Sequence, residues 1–475
     1  PLIMTVALSN GALKMAKEKV ITKRLSSIED LGNIDTLCCD KTGTLTEGKL
    51  TLEKYLNLSQ EKDSQLVLYG MLCNSSQGLN RRALENSIDK SIWAHSLAKS
   101  LLHKLKDYTF VDENEFDFER RRMSVVVKRG KTQLLLAKGA PDSIIKVCEF
   151  AQLKERKCKL SPALKSNLEL MVKSYENDGY RVIAVAEKSF SKNTSTKSDE
   201  TDLTLLGFLL FLDPPKKSAK EALSMLKQLG IKVKVISGDS PVITKKICNE
   251  VGLIIAEGIV ITGEELELLS PAQLEQYAQR YNVFARVTPE LKYKLVASLN
   301  REGHIVGFLG DGINDAPALR AADVGISVDT ASGIAKEAAD IILLHKSLHV
   351  LIDGIKQGRK VFGNITKYVL NTISANYGNM FTVALSSLFM KFIPLLPVQI
   401  LLNNFISDVP NLAISTDRVD EELLHKPRRW NIKLISRFMI YFGLISTFFD
   451  LMLIFAMLYV FKVNLEVFRT SWFVE

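Results

Sequence analysis

The chain has 475 residues, 47% hydrophobic and 24% charged, which is room for about three domains and excludes a peptide, a disordered tail or a disulfide scaffold. Its 62 Lys and Arg against 53 Asp and Glu give a net charge of +9, but the two signs are interspersed, so no nucleic-acid partner is implied. The six cysteines lie within the first 248 residues at no spacing typical of a zinc site, which suits reduced thiols in a reducing compartment.

The opening PLIMTVALSNGALKMAK is apolar before any charge and lacks the basic first stretch of a signal peptide, so residues 1–15 read as the end of a membrane segment broken at Pro1. Ile34 to Cys39 form a short apolar run that delivers Asp40 into the loop Lys41, Thr42, Gly43, Thr44. The plan recurs at KVKVISGD, ending in Asp239, and at HIVGFLGDG, ending in Asp311 and Gly312. Strands alternating with helices predict a parallel α/β sheet with sites at its strand ends. Asp40 and Asp311 are 271 positions apart, too far for one crossover. An inserted domain is therefore expected at about 50–205, splitting the sheet domain into 16–49 and 206–348, with the sheet resuming at LLGFLLFLDPPK.

The remainder, 349–475, reads as membrane-spanning α-helix. No residue from Tyr368 to Met390 is charged, a second uncharged run covers Phe392 to Ser407, and a third from Phe438 to Phe461 contains only Asp450. About 20 helical residues cross a bilayer core, so three spans are expected. Lys426, Arg428, Arg429, Lys433 and Arg437 crowd the turn between the second and third runs, whereas the other turn has only Lys391. The positive-inside bias then makes the soluble part cytoplasmic.

Asp40 is the sharpest chemical signal. A carboxylate in a Gly/Thr loop can attack phosphorus while loop N–H groups and Lys41 neutralise the transferred oxygens. Asp311, with Asn314 and Asp315, offers the oxygen donors that Mg²⁺ prefers, and a turn with a helix N-cap is the competing reading of DGIND. Ser237, Gly238 and Asp239 form a third strand-end loop able to bind phosphoryl oxygen, and Lys292 is the candidate phosphoryl-contacting lysine, with Lys294 its competitor. Position 42 is Thr42 rather than a carboxylate, so an aspartyl phosphate would lack an adjacent acid–base group and would persist.

In the insertion, Phe116, Phe118, Arg120, Arg121 and Arg122, followed by Lys138 and Gly139, suit an adenine stacked on an aromatic face with basic groups at its phosphates; a strand with core-facing aromatics is the alternative. Within the membrane stretch, Asn376, Asn379, Asn403, Asn404, Asp408 and Asn411 must face protein or water, as cation ligands or as interhelical hydrogen-bond partners. Pro410 beside Asp408 predicts unwound backbone there. Asp450 stays open between structure and pathway. Thr262, Gly263 and Glu264 look like a dephosphorylation loop but sit in the wrong part of the chain, and read as a turn opening a helix.

DKTGTLTEGK around Asp40, KGAP at 138–141, DPPK at 213–216, SGD at 237–239, TPELK at 288–292 and GDGINDAPAL at 310–319 resemble the P-type cation-transporting ATPases in order and across the whole chain. NYGNM at 376–380, NNFISDVPNLAI at 403–414, VDEELLHKPRRWN at 419–431 and SWFVE at 471–475 resemble the bacterial magnesium-transporting branch. The resemblance implies a haloacid-dehalogenase-like Rossmannoid phosphorylation domain, an inserted α+β nucleotide-binding domain and transmembrane helices.

It implies ATP and Mg²⁺ as cofactors, Asp40 as the phosphorylated residue, and Mg²⁺ held by Asp40, Asp311 and the Thr42 carbonyl. Thr44, Ser237, Gly238, Asp239, Lys292, Asn314 and Asp315 would complete the catalytic site, and Phe116, Arg121, Lys138 and Gly139 the nucleotide site. Asn376, Asn404 and Asp408 would border the path of a divalent cation, Mg²⁺ before Ca²⁺, imported across a bacterial inner membrane. An actuator domain and three further helices are expected in the same full-length protein or on a separate chain. Two departures stand out: Ser237 replaces the usual threonine, and Pro410 and Asn411 stand where that branch tends to have serine and glutamine. A membrane-tethered phosphatase and a non-catalytic membrane sensor are the competing functions.

Overall fold

The computed structural model describes residues 2–74, 86–117, 119–154, 156–192 and 194–474; Pro1, Phe118 and Glu475 lie outside the described residues. Two eight-stranded sheets organise the soluble part. In the first, Thr36–Cys39 lies centrally and pairs in parallel with Lys232–Ile236 on one side and Val306–Leu309 on the other. Ile261–Thr262, Val283–Ala285, Val324–Val328 and Ile341–Leu343 extend the parallel set, and only the edge strand Val20–Thr22 runs antiparallel. The central strands are buried along their whole length because helices cover both faces, which is why they read as uninterrupted apolar runs. One face packs Ile28, Leu31, Leu223, Leu226, Leu351 and Ile355; the other packs Leu274, Leu291, Leu295 and Leu319.

The second sheet is mainly antiparallel and forms the insertion. Here the expected boundary needs correction. Leu203–Leu212 pairs with Thr51–Asn57, Cys148–Leu153 and Arg181–Ser189, all in the second sheet, so the insertion ends near Leu212 rather than at 205. Its buried face pattern is continuous, so hydropathy gave no hint of which sheet it joins. The crossover is instead clamped at Asp213, which accepts from Thr46 Oγ1 at 2.6 Å and from the Gly48 N–H at 2.8 Å.

The first sheet is tied to the membrane part by one 42-residue helix, Leu348–Phe389, about 63 Å long. Near its start, buried Arg359 donates to the carbonyls of Gly32 at 2.9 Å, Leu229 at 3.0 Å and Leu424 at 2.6 Å, joining two sheet-domain helices and the basic turn. Among the described residues, Ile432–Val460 is the one helix long and apolar enough to cross a membrane. The expected second span is a helix of only 15 residues, Pro397–Asn411, tightening into a 3₁₀ turn over Leu412–Thr416. It runs unbroken through Asp408, so the expected unwinding at Pro410 is replaced by a change of pitch after Asn411. Thr262 caps the Gly263–Glu267 helix through a capping box with Glu265, as its sequence predicts.

Candidate active site

The three strand ends converge. Cys39 is in register with Leu309, and the Asp40 N–H donates to the Leu309 carbonyl at 3.2 Å, so Asp40 and Asp311 leave neighbouring strands side by side. Ser237 leaves the strand on the other side and is buried. Its hydroxyl accepts from the Asp239 N–H at 3.1 Å, while Gly238 is exposed at the loop tip. Thr42 is exposed and Thr44 buried in the loop after Asp40.

Lys292 is the site's central cation. It rises from the helix Pro289–Arg301, capped by Thr288, and lies 3.5 Å from Asp40 Oδ2 and 2.7 Å from Asp315 Oδ1. Asp315 is buried, and its other oxygen accepts the N–H groups of Asp311 at 3.2 Å and Gly312 at 3.1 Å, so it braces the Asp311 loop rather than facing substrate. Asn314 is exposed on the same turn. Burial raises the Asp40 carboxyl to about 6; Lys292 pulls it down, Asp315 and Asp239 push it up, and the Lys41 N–H pulls it down. Burial also draws on Lys292, but Asp40 and Asp315 outweigh it and raise its pKa.

Three partners, Lys346, Lys216 and Thr46, were not singled out from the sequence, and Lys41, expected to neutralise transferred oxygens beside Asp40, is paired elsewhere. Buried Lys41 turns away from Asp40 to Asp239, 2.5 Å distant, which ties the first loop to the third. Lys346 pairs with Asp311, and Lys216 donates to the carbonyls of Gly43 and Lys346 at 2.8 Å each. Thr46 accepts from the Gly43 N–H at 3.0 Å. Gly43 has φ +71°, the left-handed region that favours glycine, while a Cβ there would meet only the movable end of the Lys346 side chain. DPPK carried a trace of Lys216; Lys346 stands in no pattern that chemistry alone would pick out.

The hard oxygen donors at the two neighbouring strand ends are the Asp40 and Asp311 carboxylates. No group of three Asp, Glu, His or Cys that could hold an ion occurs among the described residues. Such a two-carboxylate set suits Mg²⁺, which takes its remaining ligands from water and phosphate. The ammonium of Lys346 on Asp311 shows that a cation is accommodated there.

In the insertion, Phe116 is 45% exposed near the end of Thr109–Asp117, and Arg121 follows in the turn to Arg122–Arg129, paired with Asp142. Arg120 and Arg122 are spent on Glu200, whose fully buried carboxylate also accepts from Ser124 at 2.8 Å. Lys138 is buried on Asp89 and the Gly70 carbonyl, and Gly139 lies against the Arg121 carbonyl, where a Cβ would come within 2.5 Å. The structure thus puts Phe116, Arg121 and Gly139 at one end of the sheet and turns Lys138 inward.

Among the membrane helices, Asn404 lines a cavity of about 390 Å³ together with Asn379, Asn403 and Asp450. Asn376 is exposed on its helix, and neither it nor Asp408 lines that cavity.

Residues 34–323 match the haloacid dehalogenase-like hydrolases, and residues 392–475 match the cation transporting ATPase C-terminus. "Magnesium-transporting ATPase, P-type 1" of Escherichia coli (strain K12) is 44% identical over 481 residues, covering 100% of this chain and 53% of that protein. The protein of the same name from Salmonella typhimurium (strain 14028s / SGSC 2262) is 44% identical over 482 residues, again covering 100% and 53%. "Calcium-transporting ATPase" of Bacillus subtilis (strain 168) is 30% identical over 470 residues, covering 90% and 52%. The chain spans about half the length of the curated relatives it matches. With the parallel sheet, the aspartate at its central strand end and these matches together, the chain belongs to the haloacid dehalogenase-like hydrolases, in the branch of the P-type cation-transporting ATPases.

Proposed function

We propose that the full-length protein hydrolyses ATP through an aspartyl phosphate on Asp40 and uses that cycle to carry a divalent cation, Mg²⁺, into the cytoplasm across a bacterial inner membrane. The observation that carries the reading is the junction of Asp40, Lys292 and Asp311 at the ends of adjacent strands. Phe116, Arg121 and Gly139 hold the adenine end of ATP, with Lys138 supporting the strand beneath them.

An Asp40 oxygen attacks the terminal phosphorus; the new P–O bond forms as the bond to the bridging oxygen breaks, and ADP leaves. Lys292 and the Ser237 hydroxyl take the charge on the transferred oxygens, and Gly238 leaves room for them. Thr44 and Asp239 hold the first and third loops in place, Asp239 through Lys41. Mg²⁺ held by Asp40, Asp311 and the Thr42 carbonyl would cancel the repulsion between carboxylate and phosphate. Asp315 keeps the Asp311 loop in position, and the exposed Asn314 on the same turn is free to meet phosphate.

Thr42 cannot act as a general base, so clearing the phosphate falls to an actuator domain in the full-length protein or on a separate chain. The long helix Leu348–Phe389 links the site to Asn376, Asn404 and Asp408, which border the cation path between lipid-facing helices. The magnesium assignment rests on the names of the relatives at 44% identity; the calcium transporters are at 30% or slightly above.

Incubating the full-length protein with γ-labelled ATP should give an acid-stable, hydroxylamine-labile phosphoenzyme that disappears in Asp40→Asn. Label persisting in that variant would reject the assigned nucleophile.

A further inference from the structure

The sheet domain passes into the long helix through a short connection, residues 344–347, between the strand Ile341–Leu343 and the helix Leu348–Phe389. Ser347 caps that helix by accepting from the His349 N–H at 3.2 Å. One residue earlier, Lys346 sends its ammonium back into the catalytic loops and pairs with Asp311 Oδ2. The ammonium and that oxygen both lie over Gly43, in space that a side chain there would fill. Lys216 closes the ring: its own ammonium donates at 2.8 Å to the Gly43 carbonyl, in the loop after Asp40, and at 2.8 Å to the Lys346 carbonyl.

The Lys346–Asp311 pair is a poor structural strut. Its side chains are 29% and 28% exposed, and an ion pair so accessible to water contributes little to stability. What it does instead is occupy an oxygen of the carboxylate that, with Asp40, makes the hard-oxygen pair suited to Mg²⁺. An ammonium and a divalent cation on one carboxylate repel each other strongly at so short a range. The neighbourhood is already crowded with positive charge: burial, and then Lys346 beside it, lower the pKa of Lys216. Lys292 and Lys41 are buried and Lys216 is tied to two carbonyls, so Lys346, on its flexible four-carbon stem, is the lysine able to leave.

A tethered ammonium also filters by charge. It stands beside its carboxylate at an effective concentration that a dissolved monovalent ion does not match. K⁺ or Na⁺ brings no more charge than the group it must displace, whereas a divalent ion meets the two carboxylates with twice that charge.

We propose that Lys346 is a positioning residue that holds the Asp311 carboxylate as an internal counter-ion and yields it to the catalytic divalent cation, keeping monovalent ions off the site. The proposal rests on the reading above that Asp40 and Asp311 receive Mg²⁺. It also connects the site to the membrane part, because Lys346 directly precedes the cap of the long helix. When the ammonium leaves Asp311, one tie between the head of that helix and the catalytic loops is cut, while the Lys216 tie remains.

Lysine labelling reads this exchange directly. The full-length protein in detergent, without nucleotide, is treated briefly with an amine-acetylating reagent, and acetylation of Lys346 is measured by mass spectrometry against that of exposed Lys131 on the insertion. Mg²⁺ should raise Lys346 labelling by about threefold or more, and K⁺ at the same ionic strength should leave it unchanged. Asp311→Asn should label at the high level with or without Mg²⁺. Lys346→Met, which lacks the competitor, should reach half-maximal phosphoenzyme at about two- to fivefold less Mg²⁺ and should become sensitive to K⁺.

Labelling of Lys346 that ignores Mg²⁺, or that K⁺ raises equally, overturns the proposal, since the pair is then static or only screened. A Lys346 that still responds to Mg²⁺ in Asp311→Asn, or an unchanged Mg²⁺ requirement in Lys346→Met, overturns it as well. Should Asp311→Asn not accumulate, the Mg²⁺ and K⁺ titrations of the parent protein decide. Absence of phosphoenzyme in the parent, with Mg²⁺-driven release of Lys346 intact, overturns the ATPase reading and leaves the exchange standing.

Discussion

Gly32 and Gly358 meet backbone to backbone: a Cβ on Gly32 would lie 2.5 Å from the Gly358 carbonyl carbon, and one on Gly358 would lie 2.7 Å from the Gly32 nitrogen. This contact presses the short helix Ser27–Asn33 of the catalytic sheet domain onto the long helix Leu348–Phe389. Gly358→Ala must force the two apart, at a cost of about 1–3 kcal/mol. Because Asp40 is untouched, phosphoenzyme should still form, but flux per ATP hydrolysed should fall. Parallel measurement of phosphorylation, ATPase and flux checks this; an unchanged flux-to-ATPase ratio and thermal midpoint would refute it.

Lys292 joins Asp40 to the buried Asp315 that braces the neighbouring loop. Lys292→Met removes the cation between Asp40 and buried Asp315, and phosphoenzyme formation should drop by about 10²–10³-fold. It also strands Asp315 without a counter-ion, which should cost about 3–5 kcal/mol of stability. Lys292→Arg keeps the charge and should recover most of the stability but little of the rate. Thermal denaturation beside a phosphorylation time course separates the two effects.

Asp30 gives a pH signature away from the active site. Burial first, then Glu29, Asp323 and Asp340, raise its carboxyl from 3.8 to about 6. A carboxyl raised on folding favours the folded state fully below its unfolded value, and that contribution is lost as pH rises through about 6. Asp30→Asn should therefore stabilise the protein at pH 7.5 by about 1–2 kcal/mol, a figure reduced for the partial solvent access of the group. The gain should vanish below about pH 4. Melting curves of both proteins at pH 7.5, 6 and 4 test the sign and the window.

Glu200 holds the nucleotide-end turn of the insertion together. Its carboxylate takes Arg120 at 2.5 Å, Arg122 at 2.7 Å and Ser124 at 2.8 Å. Glu200→Ala leaves Arg122 without a carboxylate partner among the described residues and Arg120 with Asp117 at 3.4 Å, and should destabilise the insertion by about 3 kcal/mol. Since Arg121 and Phe116 sit in and before that turn, affinity for a non-hydrolysable ATP analogue should fall at least fivefold. Calorimetric titration of the analogue gives the answer; undiminished affinity would separate the turn from the nucleotide site.

Much of the candidate site was legible because its signals are local. A buried parallel strand is a short apolar run, and the residue that leaves its end is fixed by chain connectivity, so Asp40, Ser237 and Asp311 could be placed at strand ends before any coordinates. Leu203–Leu212 shows the limit. Its ten residues are as apolar as a central parallel strand, and nothing within them says that its neighbours are the insertion's antiparallel strands.

The candidate residues are legible from the chain alone: an aspartate in a Gly/Thr loop, a second carboxylate loop, a lysine after a helix-capping threonine, and apolar stretches interrupted by amides. How those residues are spent depends on packing. Lys41 turns to Asp239, Lys138 to Asp89, and Asp315 to the loop N–H groups, while Asp450 joins the amides around a cavity and Asp408 does not. The reason is that a side chain's type is written in the chain, whereas its partner is set by which distant segments packing brings within about 3 Å.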